Sequence, residues 1–420
     1  MQTAIPERTF DLTGLLGRAR AASRALARAD RDGALSRVAD ALLKHQAAIL
    51  EANAEDVLAE RAKETSESLI DRLTLTEKRL QGIADAVRQI VALPDPLNRT
   101  LGEWTLPNGV EVKKRSVPFG VIGMVYESRP NVTVDAAVLA LKAGSAAVLR
   151  GSANALSSNR ALVAAMRGAL LQAGLPEDAV QLVDSPDRGL VTELLSAWGR
   201  VDLVIPRGGA ALINHVVETA KVPVIETGTG NCHVFVDASA DLAMAEGIVL
   251  NAKVQRPGVC NAAETLLVHE AVAESFLPKA LGALREAGVR LKGCERTRRL
   301  FPGVEPATEA DWETEYLDLE LAVRVVGSLD EAVAHITRYG TQHSEAIVTG
   351  SSENADRFQQ EVDAAAVYVN ASTRFTDGFE FGFGAEIGIS TQKLHARGPV
   401  GLSELTTYKY LLTGQGQVRG

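Results

Sequence analysis

The sequence lacks several features that would place it in other classes of protein. Its three cysteines, Cys232, Cys260 and Cys294, have no regular spacing, which excludes a disulfide framework and is typical of a reducing cytoplasm. No apolar run approaches the roughly 20 residues of a membrane-spanning helix, and residues 1–30 lack the apolar core of a signal peptide. A net charge of −9 argues against a nucleic-acid-binding surface, which needs clustered basic residues. We therefore expect a cytoplasmic protein with neither nucleic-acid nor membrane partners.

The common cofactor motifs are missing as well. Gly228-Thr-Gly230 is followed by Asn231, and Gly382 and Gly384 lack the third glycine that a Gly-x-Gly-x-x-Gly fingerprint requires. No P-loop and no zinc-ligand spacing is present. Any nicotinamide site must therefore be built in another way, and we expect no metal.

What is present is a chain of ordinary composition, with 46% hydrophobic and 23% charged residues among 420, which suits two or three domains. Helical spacing of apolar residues predicts helices over 12–29, 34–54 and 77–91. The Asn108-Gly109 pair between short apolar runs predicts a β-hairpin over 103–116. These elements precede a change of pattern near residue 117.

Strands and helices alternate from there to residue 375, which predicts parallel βαβ units. In the first half we expect strands at 121–126, 146–149, 180–183, 203–205 and 222–225, and helices at 132–143, 158–173, 190–198 and 211–220. In the second half we expect strands at 233–236, 265–268, 322–326, 346–348 and 366–369, and helices at 242–253, 273–287, 329–338 and 355–362. Residues 293–318, with two prolines and many acidic residues, are expected to be irregular.

The fold class is therefore α/β, with two Rossmann-like three-layer units and a small β element. Residues 1–102 and 117–225 form the first predicted domain, and 226–375 form the second. Residues 103–116 and 395–420 remain, and 406–412 have the composition of a strand. Because a hairpin exposes edges that can pair, these two segments could join into one oligomerisation element.

Cys260 is the first candidate for chemistry. It lies in a polar turn, Gln255-Arg-Pro-Gly-Val-Cys-Asn, between a predicted helix and a predicted strand, with Arg256 and Lys253 as the nearby positive charges. Positive charge favours the reactive thiolate, but a lone cysteine is often a small buried hydrophobic residue. The residues alone leave these two interpretations equally open. Cys232, in a glycine-rich turn, is also ambiguous, whereas Cys294 is expected to be structural.

The turn around Cys260 resembles the catalytic loop of the aldehyde dehydrogenase superfamily. Glu226 precedes the cysteine by 34 residues, as the Glu of a Glu-Leu-Gly-Gly turn does in that superfamily. Residues 126–131 resemble its Pro-Trp-Asn segment, and residues 141–152 resemble a strand that ends at a cofactor-binding Lys. Within the superfamily, five separated segments resemble the γ-glutamyl phosphate reductases, namely 126–133, 226–233, 339–347, 370–378 and 386–399.

The resemblance implies NADPH-dependent reduction of L-glutamyl 5-phosphate to L-glutamate 5-semialdehyde and phosphate, the second step of proline biosynthesis from glutamate. The thiolate of Cys260 would attack the acyl phosphate, phosphate would leave, and hydride would reduce the thioester. The cofactor would therefore be NADP(H), bound by residues 1–102 and 117–225, with the nucleophile in the catalytic domain 226–375. A homo-oligomer and functional coupling to glutamate 5-kinase are also implied.

The resemblance also implies roles for single residues. The Asn131 amide and the Cys260 N–H would donate to the carbonyl oxygen as it gains charge. Glu226 would not serve as a hydrolytic base, because water would waste the acyl phosphate; a cofactor contact or a structural turn remains for it. The residues implied at the cofactor are Arg150, Ser152, Arg207, Gly208, Gly209, Glu226 and Glu315. The residues implied at the substrate are Arg129, Arg256, Ser372, Thr373 and Arg374.

Two of the cofactor assignments have a physical basis. Arg150 stands where the superfamily usually has Lys, and its guanidinium can fork onto a phosphate, which favours NADP over NAD. Arg207, Gly208 and Gly209 open a predicted helix, whose first amides suit a pyrophosphate. An exposed surface arginine is the alternative for Arg150. His343 lies in one of the matching segments, but its pattern suggests no role beyond packing.

Three other functions fit the sequence less well. A general aldehyde-oxidising or acyl-CoA-reducing dehydrogenase is disfavoured because Glu226-Thr-Gly-Thr-Gly-Asn231 differs from Glu-Leu-Gly-Gly. A non-catalytic nucleotide-binding scaffold is disfavoured by the joint presence of Cys260, Asn131 and Glu226. A histidinol dehydrogenase would need zinc ligands, which the sequence does not suggest.

Overall fold

The chain divides into two compact units. The computed structural model describes residues 10–419, apart from the side chain of Ser68. The first unit holds the described residues up to Glu226, together with Phe383–Gly388 and the chain from Val400; the second holds Thr227–Gly382 and Ile389–Pro399. Residues 1–9 and 420, which the predicted ranges 1–102 and 395–420 include, lie outside the described part.

The first unit begins with helices whose starts are capped by side chains. Asp11, Asp30 and Thr76 accept backbone N–H bonds at three of the helix N-termini, which satisfies amides that have no partner within the helix. The helices are α1 (Leu12–Leu26), α2 (Arg31–Lys44), α3 (Gln46–Arg61), α4 (Glu67–Leu73) and α5 (Glu77–Ala92).

The single helix predicted over 34–54 is wrong. The chain turns at His45, where φ is −98° and ψ is 16°, and α3 starts anew at the next residue. No Gly or Pro marks this break, because one residue with ψ near zero is enough to redirect a helix and His tolerates that conformation. Helix α4 was not predicted either, since seven residues are too few for a clear period.

The predicted hairpin is confirmed, and a parallel sheet follows it. Strands β1 (Thr100–Thr105) and β2 (Glu111–Pro118) pair antiparallel. The next strands pair in the order β5-β4-β3-β6, all parallel. They are β3 (Val121–Tyr126), β4 (Ala146–Arg150), β5 (Val180–Leu182) and β6 (Leu203–Arg207), and their helices are α6 (Pro130–Lys142), α7 (Leu156–Gln172), α8 (Gly189–Leu195) and α9 (Ala210–Thr219).

This strand order creates a crevice. Because β4 and β6 lie on opposite sides of β3, the connections leave in opposite directions at the carboxyl ends of β3 and β6, where doubly wound sheets bind ligands. The strand predicted at 222–225 is wrong. Val224 forms only an isolated bridge to Val204, because Pro223 has no N–H to donate to a ladder.

The second unit contains a seven-stranded parallel sheet in the order β10-β9-β11-β8-β7-β12-β13. Val234, Leu266 and Val323 pack on one face, and Phe235, Leu267 and Ile347 pack on the other, so both faces are covered. The strands are β7 (Cys232–Val236), β8 (Ala263–His269), β9 (Arg290–Gly293), β10 (Glu305–Pro306), β11 (Glu320–Val326), β12 (Ser344–Val348) and β13 (Ala366–Val369). The helices are α10 (Leu242–Val254), α11 (Glu270–Glu286), α12 (Glu295–Leu300), α13 (Glu309–Glu313), α14 (Leu329–Tyr339) and α15 (Ser352–Glu361).

The α/β fold prediction is confirmed, with two local errors in this unit. Strand β9 was not predicted. Residues 293–318 are not simply irregular, because they include α12, β10 and α13. These elements have six, two and five residues, so their apolar pattern is too short to predict.

The remaining strands are β14 (Ile389–Ser390), β15 (Gly398–Pro399) and β16 (Thr406–Thr413). β14 and β15 pair with each other in the second unit. β16 pairs antiparallel with β2, giving the sheet β1-β2-β16, so the predicted pairing of the hairpin with the C-terminal strand is confirmed. In residues 10–419, no helix combines the length and apolar character needed to span a membrane.

Candidate active site

Cys260 lies at one edge of the sheet in the second unit. It is half-buried in the turn that leads from α10 into β8. Strands β8, β7 and β12 are neighbours and parallel, so their amino ends meet at the same edge. The starts of β7 and β12, at Cys232 and Ser344, therefore lie along the edge that carries Cys260. Ligands of open parallel sheets usually gather at the carboxyl edge, so this nucleophile turn uses the opposite one.

The segment before β7 contacts the backbone of Cys260. The fully buried Cys232 thiol donates to the Cys260 carbonyl, with 3.2 Å between sulfur and oxygen. A Cβ on Gly230 would lie 1.4 Å from the same oxygen, so no side chain can be accommodated there. Asn231 fixes the segment, because its side-chain amide donates to the carbonyls of Trp312 and Tyr339.

The residue after the nucleophile is held from the other side. The Asn261 side-chain amide donates to the Thr376 carbonyl at 2.8 Å and to the Arg374 carbonyl at 3.3 Å. Thr373, which is fully buried, donates its hydroxyl to the Asn261 carbonyl at 2.7 Å. Ser372 is also buried and accepts the Arg374 N–H. Residues 372–376 and the turn at 260–261 thus form one hydrogen-bonded unit.

Two arginines accompany this turn. Arg374 donates from Nε to Gln255 Oε1 at 2.8 Å, and Arg256 is exposed. Burial lowers the pKa of Arg374 and the neighbouring Arg256 charge lowers it further, while Asp377 and Cys260 act in the opposite direction. The structure therefore brings both predicted arginines to the nucleophile turn.

Glu315 lies beside the same contact. Its Oε1 accepts the Gly230 N–H at 2.6 Å, and burial raises the pKa of its carboxyl group despite that bond. The carboxylate thus supports the glycine that touches Cys260. Its predicted contact with a nicotinamide ribose stays a prediction.

Lys253, proposed from sequence as a positive charge for the thiolate, is engaged elsewhere. Its Nζ lies 2.6 Å from Glu264 Oε2, and both side chains are fully buried. Burial lowers the pKa of Lys253, and burial raises that of Glu264 to about 7. Because the Lys253 charge faces a buried carboxylate, Lys253 is not the source of positive charge for the thiolate. Arg256 and Arg374 are the better candidates for a positive field at Cys260.

In the first unit, the predicted pyrophosphate turn lies at the crevice between β3 and β6. Gly209 precedes α9, and its N–H donates to the Glu127 carboxylate at 2.8 Å. A Cβ on Gly208 would come within 2.5 Å of the same carboxylate, and the Arg207 carbonyl accepts the Glu127 N–H. The turn therefore already holds an anionic group.

Arg150 is buried, so its interpretation as an exposed surface residue is wrong. Its guanidinium donates to the carbonyls of Gly151 and Asp187, and burial lowers its pKa. Ser152 accepts the Ser128 N–H at 2.9 Å. Arg150 is the last residue of β4 and Ser152 follows it at the carboxyl edge, but the Arg150 donors contact backbone in this conformation.

The remaining predicted residues of the first unit lie near α6 and at the end of the unit. Arg129 is exposed and precedes α6, and Asn131 lies in its first turn with Nδ2 3.2 Å from Asp135 Oδ2. Burial raises the pKa of Asp135 to about 6. Glu226 closes the first unit, whereas Cys260 belongs to the second.

Sequence reasoning missed three contributors to the site. Cys232, Gly230 and Glu127 were not assigned functions, although all lie in the matching segments 226–233 and 126–133. Their positions in those segments were the available signal. The contacts that define their roles are made across 28 to 82 residues of chain, which a local pattern cannot reveal. Within residues 10–419 there is no group of three or more His, Cys, Asp or Glu side chains arranged to hold a metal ion.

A family model supplies the first comparison. The model described as aldehyde dehydrogenase family matches residues 16–295 of this chain. The chain belongs to the aldehyde dehydrogenase family. It is therefore an oxidoreductase of the kind that uses a nicotinamide cofactor and acts on a small molecule.

Curated relatives and solved structures narrow the comparison. The chain is 59% identical over 405 residues to the γ-glutamyl phosphate reductase of Moorella thermoacetica, covering 96% of this chain and 97% of the relative. It is 50% identical to the γ-glutamyl phosphate reductase of Thermotoga maritima, whose crystal structure matches with a TM-score of 0.96 over 98% of this chain and 100% of that one. An acetylating aldehyde dehydrogenase of Geobacillus thermoglucosidasius, at 17% identity and a TM-score of 0.68 over 98% of this chain and 100% of that one, shares the fold. Within the aldehyde dehydrogenase family, the chain groups with the γ-glutamyl phosphate reductases.

Proposed function

We propose that this chain reduces L-glutamyl 5-phosphate to L-glutamate 5-semialdehyde and phosphate with NADPH, the second step of proline biosynthesis from glutamate. The observation that carries the proposal is the nucleophile turn, where Cys260 is half-buried and its backbone carbonyl is held by the Cys232 thiol. The relatives named γ-glutamyl phosphate reductase support the choice of substrate.

Cys260 acts as the nucleophile. Its thiolate adds to the γ-carbonyl carbon, and collapse of the adduct breaks the bond to the phosphate oxygen, leaving an enzyme thioester and free phosphate. The bound nicotinamide supplies the hydride for the thioester carbon. Breaking the C–S bond then releases the semialdehyde and restores the thiolate, so the cysteine is unchanged after one turnover.

The carbonyl oxygen gains negative charge at both tetrahedral stages, so it needs oriented donors. We assign the Cys260 backbone N–H as one donor, because the Val259 carbonyl of the same peptide group accepts the Ala262 N–H and the Cys260 carbonyl accepts from the Cys232 thiol. The Asn131 amide is the second proposed donor. Asn131 belongs to the first unit, and its assignment rests on the sequence resemblance alone.

The residues of the first unit fit a dinucleotide. The Glu127 carboxylate accepts the Gly209 N–H and stands in for an anionic ligand, which supports the assignment of this turn to the pyrophosphate. Gly208, Gly209 and Arg207 would hold the pyrophosphate. Arg150 and Ser152, at the carboxyl end of β4, would hold the adenosine ribose and its 2′-phosphate. Glu226 and Glu315 complete the cofactor contacts in this proposal. Arg150 makes NADP the preferred cofactor.

The substrate carries a carboxylate, an ammonium group and a phosphate, so its pocket needs positive charge. Arg256 and Arg374 beside the nucleophile turn are the strongest candidates, because burial of Arg374 and repulsion by the neighbouring Arg256 charge favour an anionic ligand. Ser372, Thr373 and Arg129 complete the proposed set. The Thr373 hydroxyl contributes indirectly, because it is already bonded to the Asn261 carbonyl.

Glu226 does not act as a hydrolytic base in this mechanism. If it activated water, semialdehyde and NADP⁺ without phosphate would yield free glutamate. We expect no such release above the rate of the Cys260→Ala variant. Glutamate release is measured by amino-acid analysis. Rapid release would contradict this assignment while leaving the cysteine mechanism intact.

The test of the proposed function uses the reverse reaction. Semialdehyde oxidation is followed by NADPH absorbance, with and without phosphate, for the wild type, Cys260→Ala and the control Cys294→Ala. We expect phosphate-dependent NADPH formation in the wild type and the Cys294 variant, and none in Cys260→Ala. Full activity of Cys260→Ala would overturn the mechanism. Activity that depends on coenzyme A instead of phosphate would contradict the proposal that the substrate is an acyl phosphate.

The expectations on location and assembly belong to the same proposal. Residues 1–102 and 117–225 would bind NADP, and 226–375 would carry catalysis. Residues 103–116 and 395–420 would form the contact of a homo-oligomer in the cytoplasm. Functional coupling to glutamate 5-kinase follows from the chemistry, because an acyl phosphate is readily hydrolysed in water before it reaches a second enzyme.

A further inference from the structure

We propose that Cys232 and His343 form a buried positioning pair that sets the backbone of the nucleophile Cys260 through its carbonyl oxygen. The inference rests on the proposed function, because it concerns the orientation of the same nucleophilic cysteine. Neither side chain needs to touch the substrate, so both are positioning residues.

The Cys232 thiol contacts the backbone carbonyl of Cys260, and this contact lies at an irregularity in the pairing of β7 with β8. Cys232 pairs with Ala263, and the register shifts by one residue between Cys232 and His233, so Glu264 is the extra residue of a β-bulge. Bulges redirect side chains and are frequent beside active sites. Here the bulge lies where Cys232 donates from a fully buried thiol to the Cys260 carbonyl.

His343 supports the thiol from behind. Its Nδ1 lies 3.7 Å from the Cys232 sulfur and 2.9 Å from the Ser344 hydroxyl. The chain continues from Ser344 to the Thr376 hydroxyl at 2.6 Å and from Thr376 to the Tyr368 hydroxyl at 2.7 Å. A chain of four polar side chains therefore extends from the Cys232 sulfur within the second unit. They are His343, Ser344, Thr376 and Tyr368.

The protonation states suit a donor thiol. Burial raises the pKa of Cys232 well above its ordinary value, so the sulfur keeps its proton and can donate it to a carbonyl. Burial lowers the pKa of His343 to about 4, so the ring is neutral at pH 7. With one ring proton on Nδ1, His343 donates toward the Ser344 oxygen and the sulfur, which leaves the thiol proton for Cys260.

Contacts act on the peptide groups on both sides of the Cys260 Cα. The Cys232 thiol and the missing side chain of Gly230 determine where the Cys260 carbonyl can lie. The Val259 carbonyl, in the peptide group before Cys260, accepts the Ala262 N–H at 3.0 Å. Fixing these two carbonyls restricts the backbone dihedrals of Cys260, and therefore the direction of its Cα–Cβ bond. A turn with no regular hydrogen-bond ladder would otherwise allow several orientations.

The pair also explains a segment that the function left unused. His343 stands in the matching segment 339–347, yet it is fully buried, and its Nε2 has no hydrogen-bond partner among residues 10–419. A histidine kept only for packing could be replaced by an apolar residue without an unsatisfied polar atom. The Nδ1 contacts supply a reason for its presence.

Two pairs of variants test the inference. Cys232→Ala removes the donor, whereas Cys232→Ser keeps an O–H; His343→Leu removes the supporting nitrogen, whereas His343→Asn keeps a donor near Nδ1. Cys294→Ala is the control for removal of a cysteine outside the turn. Two readouts are used: kcat and KM in the phosphate-dependent assay, and the rate of Cys260 alkylation by iodoacetamide against pH, located by peptide mass spectrometry.

We expect Cys232→Ala and His343→Leu to lower kcat about three- to tenfold, the size of one neutral hydrogen bond, with KM within about twofold of the wild type. Both should displace the alkylation profile of Cys260. Cys232→Ser, His343→Asn and Cys294→Ala should retain wild-type behaviour in both readouts. Thermal unfolding identifies any variant that fails to fold. If one residue's variants do not fold, the pair of variants at the other residue tests the inference.

Three results would overturn the inference. These are wild-type kcat and alkylation in both donor-removing variants, equal defects in the matched Ala and Ser variants, or an effect on KM alone. Because alkylation needs no substrate, it also separates the two proposals. A wild type without phosphate-dependent turnover refutes the proposed function, while displaced alkylation in Cys232→Ala still supports the positioning pair.

Discussion

Close approach at Gly230 determines what the nucleophile turn can tolerate. A methyl group there would overlap the Cys260 carbonyl oxygen and lie 2.8 Å from the Cys260 Cα, which is backbone and cannot rotate away. The turn must therefore shift if any other residue stands at this position. The same reasoning does not apply to glycines that face open space.

Gly230→Ala is accordingly expected to reduce kcat at least tenfold and to destabilise the protein by about 1–3 kcal/mol. The matched control is Gly247→Ala in α10, where, apart from its chain neighbours and its own helix backbone, no atom of residues 10–419 lies within 4 Å of the new methyl group. That change should stabilise by about 0.5–1 kcal/mol, because alanine favours helix. Kinetics and urea unfolding measure both, and equal stability of the two variants would contradict the prediction.

Burial of His343 predicts a pH dependence of stability. Its folded-state pKa is about 4, below the ordinary value of 6.5 that the unfolded chain has, so the unfolded chain binds the extra proton first. Stability is therefore complete above pH 6.5 and is lost as the pH falls toward 4. The loss is at most about 3 kcal/mol for a shift of this size.

The measurement compares the free energy of unfolding of the wild type and His343→Asn between pH 8 and pH 4.5. Asn does not titrate, so the wild type should lose stability relative to the variant as pH falls. His335, whose pKa burial lowers to about 2, is present in both proteins and cancels in the difference. A difference that does not change with pH would refute the assignment of a buried neutral His343.

At the scale of elements, one buried ion pair joins α10 to β8. Lys253 and Glu264 are both fully buried, and Glu264 also accepts the Leu317 N–H at 3.2 Å. The pair lies at the bulge next to the nucleophile turn, so it fixes the helix that leads into the turn. A buried pair of this kind is costly to break from one side, because the remaining charge loses its partner.

Glu264→Leu should therefore destabilise by about 3–5 kcal/mol, and adding Lys253→Met should recover most of that loss. The exposed pair of Arg299 and Glu295 on α12 serves as the control, where Glu295→Gln should cost less than about 0.5 kcal/mol. Urea unfolding of the wild type and the three variants gives the values. A double variant no more stable than Glu264→Leu would show that the pair is not the cause.

At the scale of the whole molecule, the sheet β1-β2-β16 has an apolar face without cover in the described chain. Trp104, Tyr408, Tyr410 and Leu412 are 45–62% exposed, and Trp104 packs edge-on against Tyr410 with ring centroids 6.1 Å apart. Tyr408, Tyr410 and Leu412 alternate along β16, so they share one face. A contiguous apolar face of this kind favours a second protein surface, in line with the proposed homo-oligomer.

Tyr410→Glu should therefore reduce the molar mass found by size-exclusion chromatography with light scattering. Lys409→Glu is the matched control, because it introduces the same side chain at the next position, on the opposite face of β16. It should leave the molar mass unchanged. Dissociation by both changes, or by neither, would contradict an oligomer contact through this face.

Much of the fold was predictable because its signals are local. The alternation of apolar runs and helical segments identified four strands of the first parallel sheet and five of the second, since burial on both faces leaves a continuous apolar run. The short elements between 293 and 318 were missed, because a few charged residues carry no readable period. The break at His45 and the failed strand at 222–225 depend on a single dihedral and a single missing N–H.

By itself, the sequence determined the α/β class, the family of the chain and the identity of Cys260 as the candidate nucleophile, because each depends on residues close together in the chain. Only the tertiary structure decided what surrounds that cysteine. Strands β8, β7 and β12 are neighbours although three strands, β9, β10 and β11, lie between β8 and β12 in the chain. This order brings Cys232 and His343 to the edge that carries Cys260. Contacts set by strand order leave no periodic trace in the sequence, so the pair that holds the nucleophile was visible only in the folded chain.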